Sequence, residues 1–491
     1  MMPARMPTLN ETNVVHLLRR TEFVARPDRV AALLGAASFE AAVDDVLAVP
    51  ANPGTCQFTR EANWERGQEL VHYWIDRMAY DSPRPIQERM ALFWHGHFVS
   101  SMDKVGKAEL MREQIDLWRH HGLGNVRHLA VTMSTQVAML RYLDNNDNRR
   151  TSPNQNFGRE LMELFLLGVG NYTEADVEAC SAAWTGHTDD WETGAYEWRG
   201  GEPGRADWQN RNSNWHDYSR KRFLGQTINT DNSFEGGRTH GAETILTMLG
   251  NGVVPIGPNA GRPSREVVAE FLSRKLWTFF AGTTIPSGVL AALRDALVNS
   301  DFAVRPWLRA LLLRDEFYAT DVRQGLLRSP VEYIVAMLVT TGLRSPDATP
   351  TWLMDGMGQA LLYPPNVSGW RHNGYYVSAS AFGDRTAAAR QMMWRVLDRY
   401  WGDDGDGSVR LVGGVVPAQD LIDGIWQMSA GARPAAKRAI VDQLIDASRI
   451  DLDVAGSNTR SSLYAFADQA QPWELVYVVG LLLMSPEMHV L

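Results

Sequence analysis

The sequence predicts a mainly α-helical protein: a multi-helix globular body with a loop-rich insertion that is compatible with a small β-hairpin. Apolar residues recur at helical spacing along most of the 491 residues. Residues 187–240 break this spacing and are rich in Trp, Gly, Asn and charged side chains. Apolar residues make up 45% of the chain and charged residues 21%, which is typical of a folded protein with one large core or two to three ordinary domains.

Helices follow one another along the N-terminal part of the chain. Residues 61–80 predict a helix with an apolar side, Pro85 begins the next helix, and residues 107–121 and 125–142 predict two more. Residues 154–167 predict a strongly apolar helix, which is followed by two glycines that favour a helix end.

Two capping boxes mark further helix starts. Thr173 is followed three residues later by Asp176, and Ser329 by Glu332, with Pro330 at the first helical position. In such a box the two side chains satisfy free backbone N–H groups, so we expect both boxes to be structural.

The irregular segment separates two helical parts. Its alternating Tyr196-Glu197-Trp198 favours a short hairpin, helical spacing resumes near Gly241, and a Gly/Asp-rich stretch covers residues 402–414. We therefore divide the chain into an N-terminal helical part with a candidate site (1–186), the insertion (187–240), a helical part that completes the same body (241–401) and a C-terminal helical region (402–491).

Charge and cysteine usage exclude several classes of function. The net charge of −9 argues against nucleic acid or an anionic membrane as the main partner. The two cysteines, Cys56 and Cys180, exclude a disulfide framework and a cysteine-rich zinc site. Met1 to Glu11 contains no apolar signal segment, and no apolar run is long enough to span a bilayer. We expect a cytoplasmic protein.

The first candidate site is Phe93-Trp94-His95-Gly96-His97-Phe98, where two histidines lie between bulky apolar residues. Positions i and i+2 of a helix point to different sides, so His95 and His97 can share one ligand only if the helix ends or distorts near Gly96. The alternative is one buried, hydrogen-bonded histidine and one surface histidine.

The second candidate is the segment from Asn156 to Leu164. Glu160 and Glu163 lie three residues apart on one face of an otherwise apolar helix. Two buried carboxylates repel each other unless they are protonated or paired with a cation. A metal ion would supply that cation, and so would Arg159 or another arginine in a structural network.

Two further segments are candidates for part of a functional site. His216 and Asp217 lie in the insertion, where they would supply a metal ligand and a neighbouring acid, or a simple turn. The segment Gly358 to Trp370 contains Pro-Pro-Asn and Gly-Trp elements and forms a rigid loop edged by aromatic residues. Such a loop is more typical of a packing connector than of a pocket wall.

Taken in order, the motifs resemble the bacterial domain of unknown function 1800 family over roughly residues 14–385. The resemblance rests on the following segments: His16–Arg20, Phe93–Phe98, Tyr142–Asn145, Asn156–Leu164, Leu167–Val177, His216-Asp217, Phe223–Gly225, Ser329–Glu332 and Tyr363–Trp370. It implies a mainly helical protein without a known activity. Some relatives have His where this chain has Phe165 and Asn where it has Gly96. If Phe165 replaces a ligand, a metal site would be altered or absent here.

These patterns favour a metal-dependent enzyme that acts on a small-molecule substrate. A divalent transition metal (Fe, Mn, Zn or Cu) would be bound by His95, His97, Glu160, Glu163 and His216, with Asp217 as a base or as an orienting residue. Redox chemistry is slightly favoured over hydrolysis, because paired carboxylates with histidines in a helical body resemble di-iron sites. The alternative is a noncatalytic scaffold or partner-binding protein, in which the same polar residues form a buried structural network.

Overall fold

Helices dominate the computed structural model of the chain, as the sequence predicts. The structure describes residues 6–201, 214–282, 284–323, 325–348, 351–376, 378–400, 438, 441–442, 459–469 and 477–490. The Gly/Asp-rich stretch predicted at 402–414 lies outside the described residues, and the four-part division of the chain stays a prediction.

The N-terminal helices are α1 (Glu11–Glu22), α2 (Pro27–Leu34), α3 (Phe39–Val46), α4 (Asn63–Asp76), α5 (Ile86–His97), α6 (Met102–Val105), α7 (Ala108–His121), α8 (Val126–Thr135), α9 (Val137–Tyr142), α10 (Asn156–Glu160) and α11 (Glu174–Ala183). Two of them continue in π-helical form, α4 through Arg77–Asp81 and α10 through Leu161–Leu166. The predicted helices 61–80 and 154–167 are thus each present, with a wider last turn.

The later helices are α12 (Phe234–Met248), α13 (Ser264–Ala281), α14 (Ser287–Asn299), α15 (Val304–Leu312), α16 (Thr320–Arg323), α17 (Pro330–Thr341), α18 (Ser345–Ala348), α19 (Thr351–Gly356), α20 (Ala379–Tyr400), α21 (Thr459–Gln469) and α22 (Tyr477–Leu483). Short 3₁₀ turns lie at Asn145–Asp147, Gly257–Asn259, Asp315–Tyr318, Asn373–Tyr376 and Pro486–His489. Both predicted capping boxes are formed, at the starts of α11 and α17.

The insertion carries the predicted hairpin and a second one. Strand β1 (His187–Asp189) pairs antiparallel with β2 (Tyr196–Trp198), with His187 opposite Trp198. Strand β3 (Lys221–Phe223) pairs antiparallel with β4 (Gln226–Ile228), with Lys221 opposite Ile228. Within the described residues, the β-strands form these two small sheets.

A single hydrophobic cluster extends from α1 to the C-terminal residues, and α5 runs through it. Every residue of α5 except Gly96 is buried. Helix α5 packs on α7 and α1, while α13 packs on α14 and on the π-helical turn after α10. This arrangement brings the end of α5, the middle of α13 and the start of α17 to one cavity.

No helix in the described part of the chain is both long and apolar enough to cross a membrane.

Candidate functional site

A cavity of about 260 Å³ lies where α5, α13, the start of α17 and the loop before α20 meet. Helix α5 contributes Leu92, Phe93, Gly96 and His97, and α13 contributes Arg274, Lys275, Thr278 and Phe279. The remaining wall consists of Leu326, Leu327, Ser329, Glu332, Gln359, Ser368, Trp370, His372, Asn373 and Tyr376. A concave, largely apolar space with a few polar groups is the usual form of a small-molecule site.

The loop reaches the cavity because Gly369 allows a close approach. Gly369 has a φ of +79°, and a Cβ atom there would lie 2.3 Å from the Gly96 carbonyl oxygen. Gly96 lies beside the Trp370 ring, and an added Cβ there would make an ordinary contact at 3.7 Å. Glycine at position 369 therefore allows Trp370 to pack against the last turn of α5.

Lys275 and His97 form the polar pair of the cavity. The Lys275 Nζ lies 3.2 Å from His97 Nδ1 and 2.9 Å from the Leu164 carbonyl oxygen. Burial lowers the pKa of Lys275 to about 8. Below this pH the amine is an ammonium, which has donors only, so the Nδ1 atom of His97 accepts.

The tautomer of His97 follows from this contact. Burial, and then the charge of Lys275, lower the pKa of His97 well below its usual value, so the ring is neutral at pH 7. A neutral ring that accepts at Nδ1 carries its proton at Nε2. The backbone of Phe165 acts in the opposite direction on this pKa, which is the effect of a hydrogen-bond acceptor beside the ring, although Nε2 has no partner with the full geometry of a hydrogen bond in the described part of the chain.

Two buried N–H groups of the wall have no hydrogen-bond partner in the described part of the chain. They are Nε2 of His97 and Nε1 of Trp370. Both atoms are almost fully buried, so they are enclosed by the surrounding protein and are not open to the cavity.

The carboxylate of Glu332 is already used inside the protein. One oxygen pairs with Arg89 and the other accepts a hydrogen bond from the Ser329 backbone N–H at 2.6 Å. Burial acts to raise the pKa of Glu332, but Arg89 and Ser329 outweigh it and the pKa lies below its usual value. Arg89 itself lies 4.8 Å from the centre of the Phe279 ring.

His95 lies away from this cavity, although His97 lines it. Its ring is 5.0 Å from the Trp370 ring and 5.6 Å from that of Trp74, and neither of its nitrogens has a partner in the described structure. Burial lowers its pKa to about 3. Helix α5 continues unbroken through His97, so the two rings point to different sides and both are buried. The alternative expectation of one surface histidine is wrong.

Glu160 and Glu163 are partly exposed on the helix that continues from α10. Burial, and then the charge of Glu163, raise the pKa of Glu160. Glu163 accepts a hydrogen bond of 2.6 Å from the Tyr172 hydroxyl. The sequence suggests Arg159 as a counter-ion for these two carboxylates, but in the structure Arg159 forms an ion pair with Glu174 at 2.8 Å.

His216 and Asp217 lie in the insertion. The Nδ1 atom of His216 is 2.8 Å from the Thr185 carbonyl oxygen, and its Nε2 atom is 2.9 Å from Nδ1 of His240. Asp217 accepts from the backbone N–H of Ser219 at 2.9 Å and pairs with Lys221 at 3.0 Å.

The predicted metal ligands therefore lie in four different places. His97 lines the cavity, His95 lies between two tryptophan rings, Glu160 and Glu163 lie near Tyr172, and His216 lies in the insertion. Within the residues that the structure describes, no three His, Cys, Asp or Glu side chains form a group that could hold a metal ion. Phe165 lies beside His97, with 6.1 Å between the ring centres. The position at which this chain departs from some relatives is thus next to His97, and here it provides no ligand.

Sequence reasoning missed Lys275 and assigned the loop to packing. Lys275 is an ordinary charged residue within an amphipathic helix, so no local pattern distinguishes it. The loop does pack on α5, but its Gln359, Ser368 and Trp370 also form cavity wall. The sequence signal for this part of the cavity wall is the rigid Gly-Trp element that follows two prolines.

The fold and the cavity define a class: a mainly helical protein with two small hairpins within its described residues and a partly open cavity of about 260 Å³. The family model described as "Protein of unknown function (DUF1800)" matches residues 16–490, and the chain belongs to that family. No curated protein matches the chain, and no solved structure matches it.

Proposed function

We propose that this protein is an enzyme that binds a small organic molecule in the cavity and donates a proton to one of its oxygen atoms from Lys275, which His97 positions. The observation that carries the proposal is the place of Lys275 in the cavity wall, where its Nζ atom contacts Nδ1 of His97 and the Leu164 carbonyl oxygen. A lysine whose pKa is lowered by burial towards neutral pH is suited to general acid catalysis.

The proton would move in one step. The Lys275 ammonium protonates the substrate oxygen, and the neutral amine that remains takes up a proton from water after the product leaves. A lysine with its pKa near 8 releases this proton far more readily than one with the ordinary value of 10.5. The Leu164 carbonyl oxygen holds the ammonium in place throughout.

Deuterium exchange tests this proposal. A panel of small carbonyl compounds is incubated with the protein in buffered D₂O, and NMR follows exchange at the carbon next to the carbonyl. In this exchange the buffer base removes the carbon-bound proton while the enzyme protonates the oxygen. We expect Lys275→Met and His97→Asn to slow the exchange by about 100-fold or more. Thr278→Val serves as the matched control, because the Thr278 hydroxyl is already bonded to the Arg274 carbonyl oxygen.

The pH profile separates a proton donor from a structural lysine. In the wild type the rate falls as the pH rises through about 8, where Lys275 loses its proton. In Lys275→Arg the charge and the contact with His97 are retained, but the proton is held too tightly to be released. Exchange that is as fast in Lys275→Arg as in the wild type contradicts the proposal.

A metal-dependent enzyme is the second candidate. The raised pKa of Glu160 beside Glu163, and the two ring nitrogens of His95 that have no partner within the described structure, support it, because all are groups that a cation would stabilise. Fe, Mn, Zn or Cu would be the cofactor, with redox chemistry favoured over hydrolysis. Asp217 as its base and His216 as a ligand stay predictions.

Elemental mass spectrometry tests the metal. The protein is purified without a metal-affinity column, and the wild type is compared with Glu160→Gln and His95→Ala. Near-stoichiometric metal that both variants lose while they remain folded supports this candidate. A wild type that stays free of metal after reconstitution with Fe, Mn, Zn and Cu overturns it.

A noncatalytic scaffold or partner-binding protein is the outcome if neither experiment succeeds. Buried ion pairs such as Arg119–Glu88 and Arg141–Asp189 show that this fold uses charged networks structurally. The cytoplasmic location remains a proposal, which fractionation of the native host tests directly.

A further inference from the structure

We propose that His121 and His128 together bind one divalent transition-metal ion on the surface of the protein, with water at its remaining coordination positions. The site would select ions that prefer nitrogen ligands, namely Cu²⁺, Ni²⁺ and Zn²⁺, over Mg²⁺ and Ca²⁺. Neither histidine lines the cavity or belongs to the metal site predicted from the sequence, so the inference goes beyond the proposed function and does not depend on it.

Three exposed histidines lie close together where α7 ends and α8 begins. They are His120 and His121, the last two residues of α7, and His128 in the first turn of α8. The ring centres of His121 and His128 are 4.8 Å apart. Neither of these two rings makes a hydrogen bond or an ion pair with another side chain in the described part of the chain. Both rings are therefore accessible to an ion from solvent.

The distance between the two rings fits a shared metal ion. A histidine nitrogen lies about 2.0–2.1 Å from a bound Zn²⁺, and the centre of its ring lies about 1 Å further along the same line. Two such rings at a tetrahedral or square-planar angle have centres roughly 4.5–5.2 Å apart. The observed 4.8 Å lies within this range. Because both side chains are exposed, they have room to turn one nitrogen each towards the ion.

The backbone between the two histidines is held in place. The Val126 N–H donates to the Phe302 carbonyl oxygen at 2.9 Å. The Asn125 side chain accepts from the Arg127 N–H at 2.8 Å, which caps α8, and donates to the Asp301 carbonyl oxygen at 2.7 Å. Since these contacts fix the turn between α7 and α8, metal binding orders only the two side chains, and little conformational entropy is lost.

His120 is not part of the site, although it is next to His121 in the chain. Its Nδ1–H donates to the Asp116 carbonyl oxygen at 2.7 Å, and its ring centre is 6.3 Å from that of His121. This distance is longer than two rings on one ion allow. Within the described residues, no three His, Cys, Asp or Glu side chains form a group that could hold a metal ion, which agrees with a pair of ligands.

The charge state of His121 suits a metal ligand. Burial, and then the neighbouring His128 and His120, lower its pKa below the ordinary value. The ring is therefore neutral at pH 7 and has a nitrogen lone pair to donate. A metal ion binds the neutral imidazole, so binding at this pH does not have to displace a proton from His121.

Metal titration tests the site. The full-length protein is freed of metal, and calorimetry at pH 7 measures the binding of Cu²⁺, Ni²⁺ and Zn²⁺. We expect one Cu²⁺ per chain, bound more tightly than the other two ions, as the usual order of affinities requires. His121→Ala and His128→Ala should each weaken Cu²⁺ binding by roughly tenfold or more. His120→Ala, which removes another exposed histidine at the same helix end, is the matched control and should leave the affinity unchanged.

Electron paramagnetic resonance counts the ligands. Spin-echo modulation from the remote ring nitrogens should show two coordinated imidazoles on Cu²⁺ in the wild type and in His120→Ala, and one in His121→Ala and in His128→Ala. Because the ion joins α7 to α8 in the folded state only, Cu²⁺ should also raise the melting temperature of the wild type more than that of His128→Ala.

The following results would overturn the inference: no saturable binding, a single coordinated imidazole in the wild type, binding that His121→Ala and His128→Ala leave unchanged, or an equal loss in His120→Ala. Metal that persists in His128→Ala but is lost from Glu160→Gln and His95→Ala contradicts the inference and supports the metal-dependent enzyme.

Discussion

At the scale of single residues, Lys275 lies in a place that disfavours its charge. Its pKa in the folded protein is about 8, against 10.5 in the unfolded chain. Below pH 8 both states bind the proton and the cost of burying it is fully present. Between pH 8 and 10.5 the unfolded state binds more protons, so the stability contributed by this residue rises with pH.

The difference in stability between the wild type and Lys275→Met should therefore depend on pH. Relative to the variant, the wild type should gain up to about 3 kcal/mol of unfolding free energy as the pH rises from 7 to above 10. Urea unfolding of both proteins at pH 7 and pH 10 measures the change, and effects of pH on other residues cancel in the difference. A difference that does not depend on pH would show that Lys275 titrates normally.

A second residue-scale prediction concerns the ion pair of Arg89 and Glu332. Glu332→Gln leaves the buried guanidinium of Arg89 without its counter-charge and weakens the cap of α17. We expect a loss of about 3–5 kcal/mol of unfolding free energy, measured by urea denaturation. Glu174→Gln breaks the exposed pair with Arg159 and should change stability little. Similar losses in both variants would contradict the assignment.

At the scale of elements, glycines decide which helices can approach each other. A Cβ atom on Gly158 of α10 would lie 2.6 Å from the Ser181 hydroxyl and 3.1 Å from its backbone nitrogen in α11. Gly288 in α14 would meet nothing within 4 Å. Alanine is the better helix former by about 1 kcal/mol. Of these two glycines, Gly158 is therefore the one at which packing opposes helix propensity.

We expect Gly158→Ala to destabilise the protein by about 1–3 kcal/mol and Gly288→Ala to stabilise it by about 0.5–1 kcal/mol. Thermal and urea unfolding of the two variants provide the comparison. If Gly158→Ala proves as stable as Gly288→Ala, the contact between α10 and α11 is looser than described.

At the scale of the whole molecule, the C-terminal segment completes the core. Leu482, Leu483 and Met488 are almost fully buried. The Tyr333 hydroxyl donates to the Leu483 carbonyl oxygen at 2.8 Å, and residue 327, next to the cavity, pairs with residue 490. The two ends of the described chain thus share one hydrophobic cluster.

A chain that stops after residue 476 should lose more than about 5 kcal/mol of stability, because three large apolar side chains leave the core. Its melting temperature should fall, and it should bind a hydrophobic dye. Tyr333→Phe removes only one hydrogen bond and should cost about 1 kcal/mol. A truncated chain that melts like the wild type would mean that residues 477–490 dock only weakly.

Much of the fold follows from local patterns. The helices at 63–81 and 156–166, both capping boxes and the hairpin at 196–198 were all predicted, because periodicity, caps and alternation are properties of neighbouring residues. The widened π-helical turns were not predicted. They affect the end of the helix that carries Glu160 and Glu163, and they arise where the helix packs against others.

Local patterns in the sequence predict the helical class, the places where several helices begin, and the unusual segment around His95 and His97. Which of those side chains meet depends on how the helices pack in three dimensions. The tertiary structure separated His95 from His97, because α5 does not break at Gly96, and it placed Lys275 against His97 from a helix nearly 180 residues further along the chain. Such a contact depends on how whole helices pack, and no spacing within one segment records it.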